Sequence, residues 1–281
     1  LVNYNNSQDT IGCINSILES NHYENCSIEI FDNNSNELNT NILKEYLQQI
    51  ETTKFVCSVD CYYSDINLGF AAGNNYWLKK TPIGDYVWFL NNDTLTNSQL
   101  FEQIFTNLPD DKSVIYFDCK TFDNEFHDDG MHFVNLLTGR DHSSKKSRYD
   151  FGYICGASLL LKKTELTPFW CESYFLYFED SDYGMKLYKQ GFSLHHLNCC
   201  YFNHKISATS SKKKGINYIK LRSQVLFMKK WGKNFPLFVF GKAVYLLLVK
   251  NDFIGFRYFL TYIHESKGIN ILTNNVDNAY I

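Results

Sequence analysis

Along the first two hundred positions, short runs of aliphatic and aromatic residues alternate with polar stretches at helical spacing, and this alternation limits the folds open to the chain. Ser27-Ile28-Glu29-Ile30-Phe31 precedes a helix-like stretch at 41–49, and Tyr86-Val87-Trp88-Phe89-Leu90 precedes another at 99–107. Strands of that length separated by helices predict parallel βαβ units. Apolar runs at 154–161 and 174–178 are expected to be further strands. The second leads into a helix over 182–190, on which Tyr183, Leu187 and Gln190 share a face. From Gly215 the period changes: Tyr218, Leu221, Val225 and Met228 recur at helical spacing, followed by apolar stretches at 235–249 and 253–263. The fold class expected is α/β, a doubly wound and mostly parallel central sheet with helices on both faces, over residues 1–210. A helical C-terminal appendage follows over 211–281, and 281 residues suffice for both.

Charge divides at the same place. Residues 1–204 hold 14 Lys+Arg against 27 Asp+Glu, a net of -13, whereas 205–281 hold 13 against 3, a net of +10. An acidic body argues against nucleic acid as a partner, while a basic, aromatic-rich tail suits an anionic membrane surface or an acidic partner, or is a solvated helix. The stretch 235–249 is apolar for about fifteen residues and contains Lys242, short of the roughly 20 needed to span a bilayer. A helix in the interface is expected, with Trp231, Tyr245, Phe256 and Tyr258 at headgroup depth and Lys212–Lys214, Lys229, Lys230 and Lys233 facing phosphate. Packing of the same helices on the body is the alternative. Nine cysteines, with no CxxC pair, read as reduced thiols of a cytoplasmic protein rather than a disulfide frame or a structural zinc site. The opening Leu1-Val2-Asn3-Tyr4 has no secretion signal and no Met, so a few residues are expected to precede it.

An open α/β sheet places its ligand crevice at the carboxyl ends of its strands, and four segments end there in polar residues. In Asp32-Asn33-Asn34-Ser35, Asp32 either accepts from a base or ribose or caps its own turn. In Asn67-Leu68-Gly69-Phe70-Ala71-Ala72-Gly73-Asn74-Asn75, small residues either offer backbone amides to phosphate or let a helix pack closely. That segment has neither the GxGxxG nor the Walker spacing, which removes the best support for dinucleotide binding or P-loop hydrolysis. Leu90-Asn91-Asn92-Asp93 ends a hydrophobic strand in one carboxylate, suited to a hard divalent cation bridging to a diphosphate. Glu179-Asp180-Ser181-Asp182 opens a helix with three carboxylates, which serve as acid–base groups or as helix-terminal charges.

Taken in order, with Val2-Asn3-Tyr4-Asn5 at the start and Gly156-Ala157 before the acidic cluster, these segments resemble the family 2 glycosyltransferases. Those are inverting nucleotide-sugar enzymes of GT-A type fold, and the likeness is greatest to their bacterial rhamnosyl- or galactofuranosyl-transferase-like branch. It extends over roughly residues 1–210. The resemblance implies that Asp32 contacts the base beside the Asn3-Tyr4-Asn5 turn, with Asn34 following it. It implies that Asn67, Gly69, Phe70, Gly73 and Asn74 line the nucleotide-sugar pocket with Asn91, Asn92, Gly156 and Ala157. Asp93 takes the place of the metal ligand in the family's DxD motif, whose first acidic position is Asn91 here. His204 matches a downstream histidine that completes the metal site in some relatives, or is a plain loop residue. The cofactor implied is a divalent cation, Mn or Mg. Asp180 is the implied general base, with Glu179 and Asp182 in support. Trp170 and Tyr174 offer flat faces to the acceptor, or pack in the core.

The implied activity is transfer of a sugar from a UDP- or dTDP-sugar to a hydroxyl of a glycan. That acceptor is expected to be lipid-linked, for O-antigen or capsule, at the inner face of the cytoplasmic membrane. A soluble transferase and a catalytically silent sugar-nucleotide-binding scaffold are the alternatives. Three other features are expected to stay outside the chemistry. His127-Asp128-Asp129-Gly130-Met131-His132 reads as a solvated turn, His195 and His196 alternate across a strand, and 141–148 reads as a mobile loop.

Overall fold

The computed structural model describes residues 1–20, 26–52, 57–205 and 214–264. The elements are, in order, β1 (Val2–Asn3), α1 (Ser7–Leu18), β2 (Ser27–Asp32), α2 (Glu37–Thr52), β3 (Ser58–Tyr63), α3 (Phe70–Lys80), β4 (Tyr86–Leu90), β5 (Thr94–Leu95) and α4 (Ser98–Thr106). Then come β6 (Ser113–Lys120), β7 (Phe126–Asp128), β8 (Met131–Asn135), β9 (Asp141–His142), β10 (Asp150–Ile154), β11 (Ser158–Lys162), α5 (Glu179–Lys189) and β12 (Ser193–His204). The C-terminal region is α6 (Lys214–Trp231), α7 (Phe235–Val244), a π-helical turn (Tyr245–Val249) and α8 (Phe253–His264).

The βαβ rhythm expected over the first hundred residues is present. β1, β2 and β3 form a parallel sheet, and β2 carries Ile28, Ile30 and Phe31 into the core. A second sheet runs β4-β11-β6-β12-β5, with β6 and β12 parallel and β11 antiparallel to both of its neighbours. The antiparallel strand arises where the sequence showed one apolar run at 154–161. Cys155-Gly156-Ala157 breaks that run, so β10 ends in a small sheet with β8 and β9 while β11 enters the large one. The apolar run at 174–178 forms no strand; it is a loop whose Tyr177 and Phe178 have left-handed φ of 67° and 66°. An apolar stretch alone does not separate a strand from a buried loop. On the following helix, Tyr183 and Leu187 face the core as expected, whereas Gln190 is the exposed C-cap.

Three helices follow β12, and α6 is bound to the body. One hydrophobic cluster joins Val134, Tyr153, Tyr174, Phe178 and Met185 of the body to Leu221, Val225, Phe227 and Met228 of α6 and to Phe238, Phe259 and Tyr262 of α7 and α8. The boundary expected at 210 lies outside the described residues, as do Lys212 and Lys213. Trp231 and Phe256 pack against this shared cluster, so they are not free for headgroups; Tyr245 and Tyr258 remain exposed. The 141–148 segment is tied at its start, where β9 pairs with β8 and Asp141 holds Lys220 of α6 at 3.0 Å.

Candidate active site

At the carboxyl ends of the parallel strands β1 and β2, Asn3 is fully buried and links three elements. Its Nδ2 donates to Asp32 Oδ2 at 2.6 Å, and its Oδ1 accepts from Thr10 Oγ1 at 2.9 Å, while Asn92 Nδ2 donates to that hydroxyl at 2.8 Å. Asp32 is 1% exposed, and its other oxygen accepts from the Ser35 amide at 2.9 Å, so turn capping is the role the geometry displays. Asn33 Oδ1 accepts from the Leu68 amide, which fixes the 67–75 segment to this turn. The rim around the network carries Tyr4, Asn5 and Asn34, with Asn5 and Asn34 in left-handed backbone.

Within the 67–75 segment the two glycines have different tasks. Gly69 caps α3 with φ of 84°, and a Cβ there would lie 2.5 Å from the Phe175 carbonyl oxygen. Its neighbour Phe70 donates its amide to that same carbonyl, so this turn of helix and the 173–178 loop are built against each other. Gly73 instead lets α3 close on Val2 and Phe31, the close-packing alternative. Asn74 turns back onto the Phe70 carbonyl, and buried Asn75 braces the backbone of Trp170. Asn67 caps the Gly69 amide and is half-buried.

The ends of three strands converge beyond it. The Asn91 amide donates to Ala157 O at 2.9 Å, the Lys205 amide donates to Asp93 O at 3.0 Å, and His204 Nε2 lies 3.1 Å from Asp93 Oδ1. His204 therefore leaves β12 beside Asp93 rather than in a free loop. A carboxylate and an imidazole side by side, each about one-fifth exposed, form a two-residue O/N donor set. That pair suits a hard divalent cation only if further ligands come from outside the chain, for no group of three or more such ligands is present among the described residues.

Next to Ala157, the Gly156 amide donates to Asp180 Oδ2 at 3.4 Å, and a Cβ on Gly156 would meet Asp180 Cβ at 3.4 Å. Asp180 also accepts from the Ser181 amide at 2.7 Å. Burial pushes the Asp180 carboxyl above the usual carboxylate range, opposed by these amides and by the charge of His132. Glu179 is raised as well, by burial and then by the charge of Asp180, and its Oε2 has no hydrogen-bond partner among the described residues. Two adjacent carboxyls thus share one desolvated site, the arrangement that separates an acid from a base.

Both line a cavity of about 420 Å³ that also contains His204, His132, Asp128, Tyr177 and Lys220. The 127–132 segment is therefore a wall of the site rather than the solvated turn expected. Asp128 Oδ2 lies 3.2 Å from both His127 Nε2 and His132 Nε2. Burial opposes ionisation of Asp128, yet its hydrogen bond to His132 holds the carboxyl below its ordinary value. The His132 imidazole is correspondingly raised by Asp128, against the opposing effect of burial. The signal for this wall lay in the alternation Phe126-His127-Asp128 and Met131-His132-Phe133 on either side of Asp129-Gly130, which is strand patterning around a turn. Lys220 was equally hidden, because nothing in a helical repeat tells which cavity it borders.

Three expected site residues belong elsewhere. Trp170 is buried and stacks on Tyr183 with ring centroids 4.1 Å apart, and Tyr174 is buried with its hydroxyl 3.4 Å from Asp182 Oδ1, so neither offers a face to an acceptor. Asp182 is fully buried and accepts from Lys230 Nζ at 2.6 Å and Trp231 Nε1 at 2.7 Å. It joins body to appendage and does not touch the cavity. His195 and His196 engage Ser193 and Asp118 respectively, outside the cavity.

No curated protein matches the chain by sequence. Solved structures share its fold. The crystal structure of S. aureus TarS 1-349 is 15% identical with a TM-score of 0.51, covering 89% of this chain and 72% of that one. GalNAc-T7 with UDP, GalNAc and Mn2+ is 11% identical with a TM-score of 0.58, covering 93% and 54%, so the chain spans about half its length. The mannosyltransferase PcManGT from Pyrobaculum calidifontis, in complex with GDP-Man and Mn2+, is 12% identical with a TM-score of 0.55, covering 100% and 79%. At these identities the likeness is one of architecture, the GT-A fold. The profile described as Glycosyl transferase family 2 matches residues 1–166, from the Asn3 turn through Asp93 and Gly156. That span is more than half of the sequence, and it makes the chain a member of glycosyl transferase family 2 and a glycosyltransferase.

Proposed function

We propose that the chain transfers a sugar, with inversion, from a UDP- or dTDP-sugar to a hydroxyl of a glycan acceptor, and that Asp180 is the general base. The observation that carries this reading is the position of Asp180: a half-buried carboxylate, braced by the Gly156 and Ser181 amides, in the cavity that also contains His204 beside Asp93. The acceptor O–H gives its proton to Asp180 as its oxygen bonds to the anomeric carbon. The bond from that carbon to the diphosphate breaks on the opposite face, and the nucleoside diphosphate leaves with the electron pair. A positioned base contributes about 10²- to 10⁴-fold.

Asp93 and His204 would hold a divalent cation, Mn or Mg, which when bound supplies charge for the departing diphosphate. Asn3 and Asp32 hold the turn that shapes the base pocket, with Tyr4, Asn5 and Asn34 on its rim, and Asn67 and Phe70 border the donor. The division we propose is a catalytic body over 1–210 and a basic appendage over 211–281, acting on a lipid-linked glycan from the cytoplasmic face of a membrane.

Thermal stabilisation by UDP, dTDP, GDP and CMP, each with Mn²⁺, Mg²⁺ or EDTA, tests the donor end. Metal-dependent stabilisation by UDP or dTDP is expected, and a ligand at 100 times its Kd adds about 2.7 kcal/mol. Asp180→Asn is expected to lower transfer at least about 10²-fold while that stabilisation persists. Full activity in this variant would remove the base assignment. Nucleotide binding indifferent to metal, with no transfer from the parent protein, would favour a silent sugar-nucleotide binder.

A further inference from the structure

The appendage buries one side and leaves the other bare. Phe238, Leu246, Phe259 and Tyr262 enter the shared cluster, whereas Leu248 is 76% exposed and Phe253 65%, with Val249 and Ile254 similarly open. These four exposed residues lie in the π-helical turn and the first turn of α8, at the bend between the last two helices. Phe240 and Leu237 extend the bare surface along α7. So much exposed apolar area at one bend calls for a partner.

Charge around the bend selects that partner. Between residues 232 and 264 the cations are Lys233, Lys242, Lys250 and Arg257 against a single carboxylate, Asp252; Lys233 lies over Tyr149 of the body and Lys242 near Lys220 and Asp141, which leaves Lys250 and Arg257 beside the bend. Asp252 Oδ1 accepts from the Gly255 amide at 2.7 Å and so serves as a helix cap. An isologous dimer through this face would set one cationic collar against another. An anionic bilayer satisfies both parts, taking apolar tips at the acyl boundary and cations at the phosphates. No helix among the described residues is long and apolar enough to cross a membrane, which suits a wedge rather than a span.

We propose that the bend carrying Leu248, Val249, Phe253 and Ile254 inserts into the surface of a bilayer containing anionic phospholipid. This deepens the lipid-linked acceptor reading and rests on it for its purpose. α6 packs on α8 and also carries Lys220 into the cavity of Asp180, so one helix connects the element that bears the bend to the cavity. The inserting residues differ from those the sequence pointed to, because Trp231 and Phe256 face inward.

Cosedimentation of the whole chain with vesicles of phosphatidylcholine, alone or mixed with phosphatidylglycerol, tests the proposal. Binding is expected to the mixed vesicles and to weaken with salt. The double variant Leu248→Asp/Phe253→Asp is expected to lose more than about tenfold in affinity while keeping the parent's unfolding midpoint. Lys250→Glu/Arg257→Glu is expected to lose about fivefold per charge on mixed vesicles only. Binding to neither vesicle, equal binding to both, or a solution dimer that the double variant dissociates would overturn it. Nucleotide-dependent stabilisation, measured on the same samples, separates the readings. Its presence without vesicle binding overturns only the bilayer surface, and its absence with vesicle binding overturns only the donor assignment.

Discussion

Asp182 shows how much a single carboxylate can decide. It is fully buried, and its Oδ1 accepts from the indole of Trp231, the ammonium of Lys230 and the hydroxyl of Tyr174, while its Oδ2 has no hydrogen-bond partner among the described residues and only the charge of Lys186 Nζ 3.5 Å away. Asp182→Ala is expected to cost about 1–3 kcal/mol, since it strands buried donors while partly exposed Lys230 recovers water; the midpoint of urea unfolding measures it. Three positions earlier, Glu179 behaves in the opposite sense. Its carboxyl is raised in the folded chain, so the stability it contributes is complete below the ordinary Glu pKa of about 4.3 and is lost as pH rises through the raised value. Glu179→Gln is therefore expected to unfold at a higher temperature than the parent at alkaline pH and to match it in acid. For Asp180, raised in the same direction, the acid limb of kcat/KM is expected above the ordinary Asp value of about 3.9.

At the scale of elements, the site depends on a loop with no regular structure. Tyr177 and Phe178 both occupy left-handed backbone just before Glu179 and Asp180, a conformation costing on the order of 1–2 kcal/mol per residue. α6 holds them there: Ser223 Oγ donates to Leu176 O at 2.9 Å, an Arg222 guanidinium nitrogen donates to Ser173 O at 2.9 Å, and Phe227 packs on Phe178. Phe227→Ala is expected to destabilise by about 3–5 kcal/mol. The milder Ser223→Ala is expected to lower kcat several-fold with donor KM unchanged, read from initial rates. Gly69→Ala presses a Cβ onto the Phe175 carbonyl and forces a non-glycine into φ of 84°, so a loss above about 1 kcal/mol is expected in thermal unfolding.

The strands with a helix behind them were legible, because period and punctuation agree for β2, β4 and their helices. The 174–178 loop was not, since Phe and Tyr mark a buried strand and a buried loop alike. Asp93 and Asp180 were legible as polar ends of apolar segments. The His127–Asp128–His132 wall was missed because its meaning depends on β7 and β8 being brought beside α5, a contact between distant parts of the chain.

Over the whole molecule, body and tail share one hydrophobic cluster across opposite net charges of -13 and +10. A chain ended at residue 205 would expose Tyr174, Phe178 and Met185 together. It is expected to lose the cooperative unfolding transition of the parent, with dye binding to the uncovered surface as the readout.

The Asp182 junction also bears on how such enzymes diversify. A tail can be exchanged between relatives only if the recipient helix brings an indole and an ammonium to the same depth, for otherwise a buried charge is left without its partners. Body and tail are therefore expected to be inherited as a matched pair, and a chimera grafting a foreign tail onto this body would need the Trp231 and Lys230 positions carried with it.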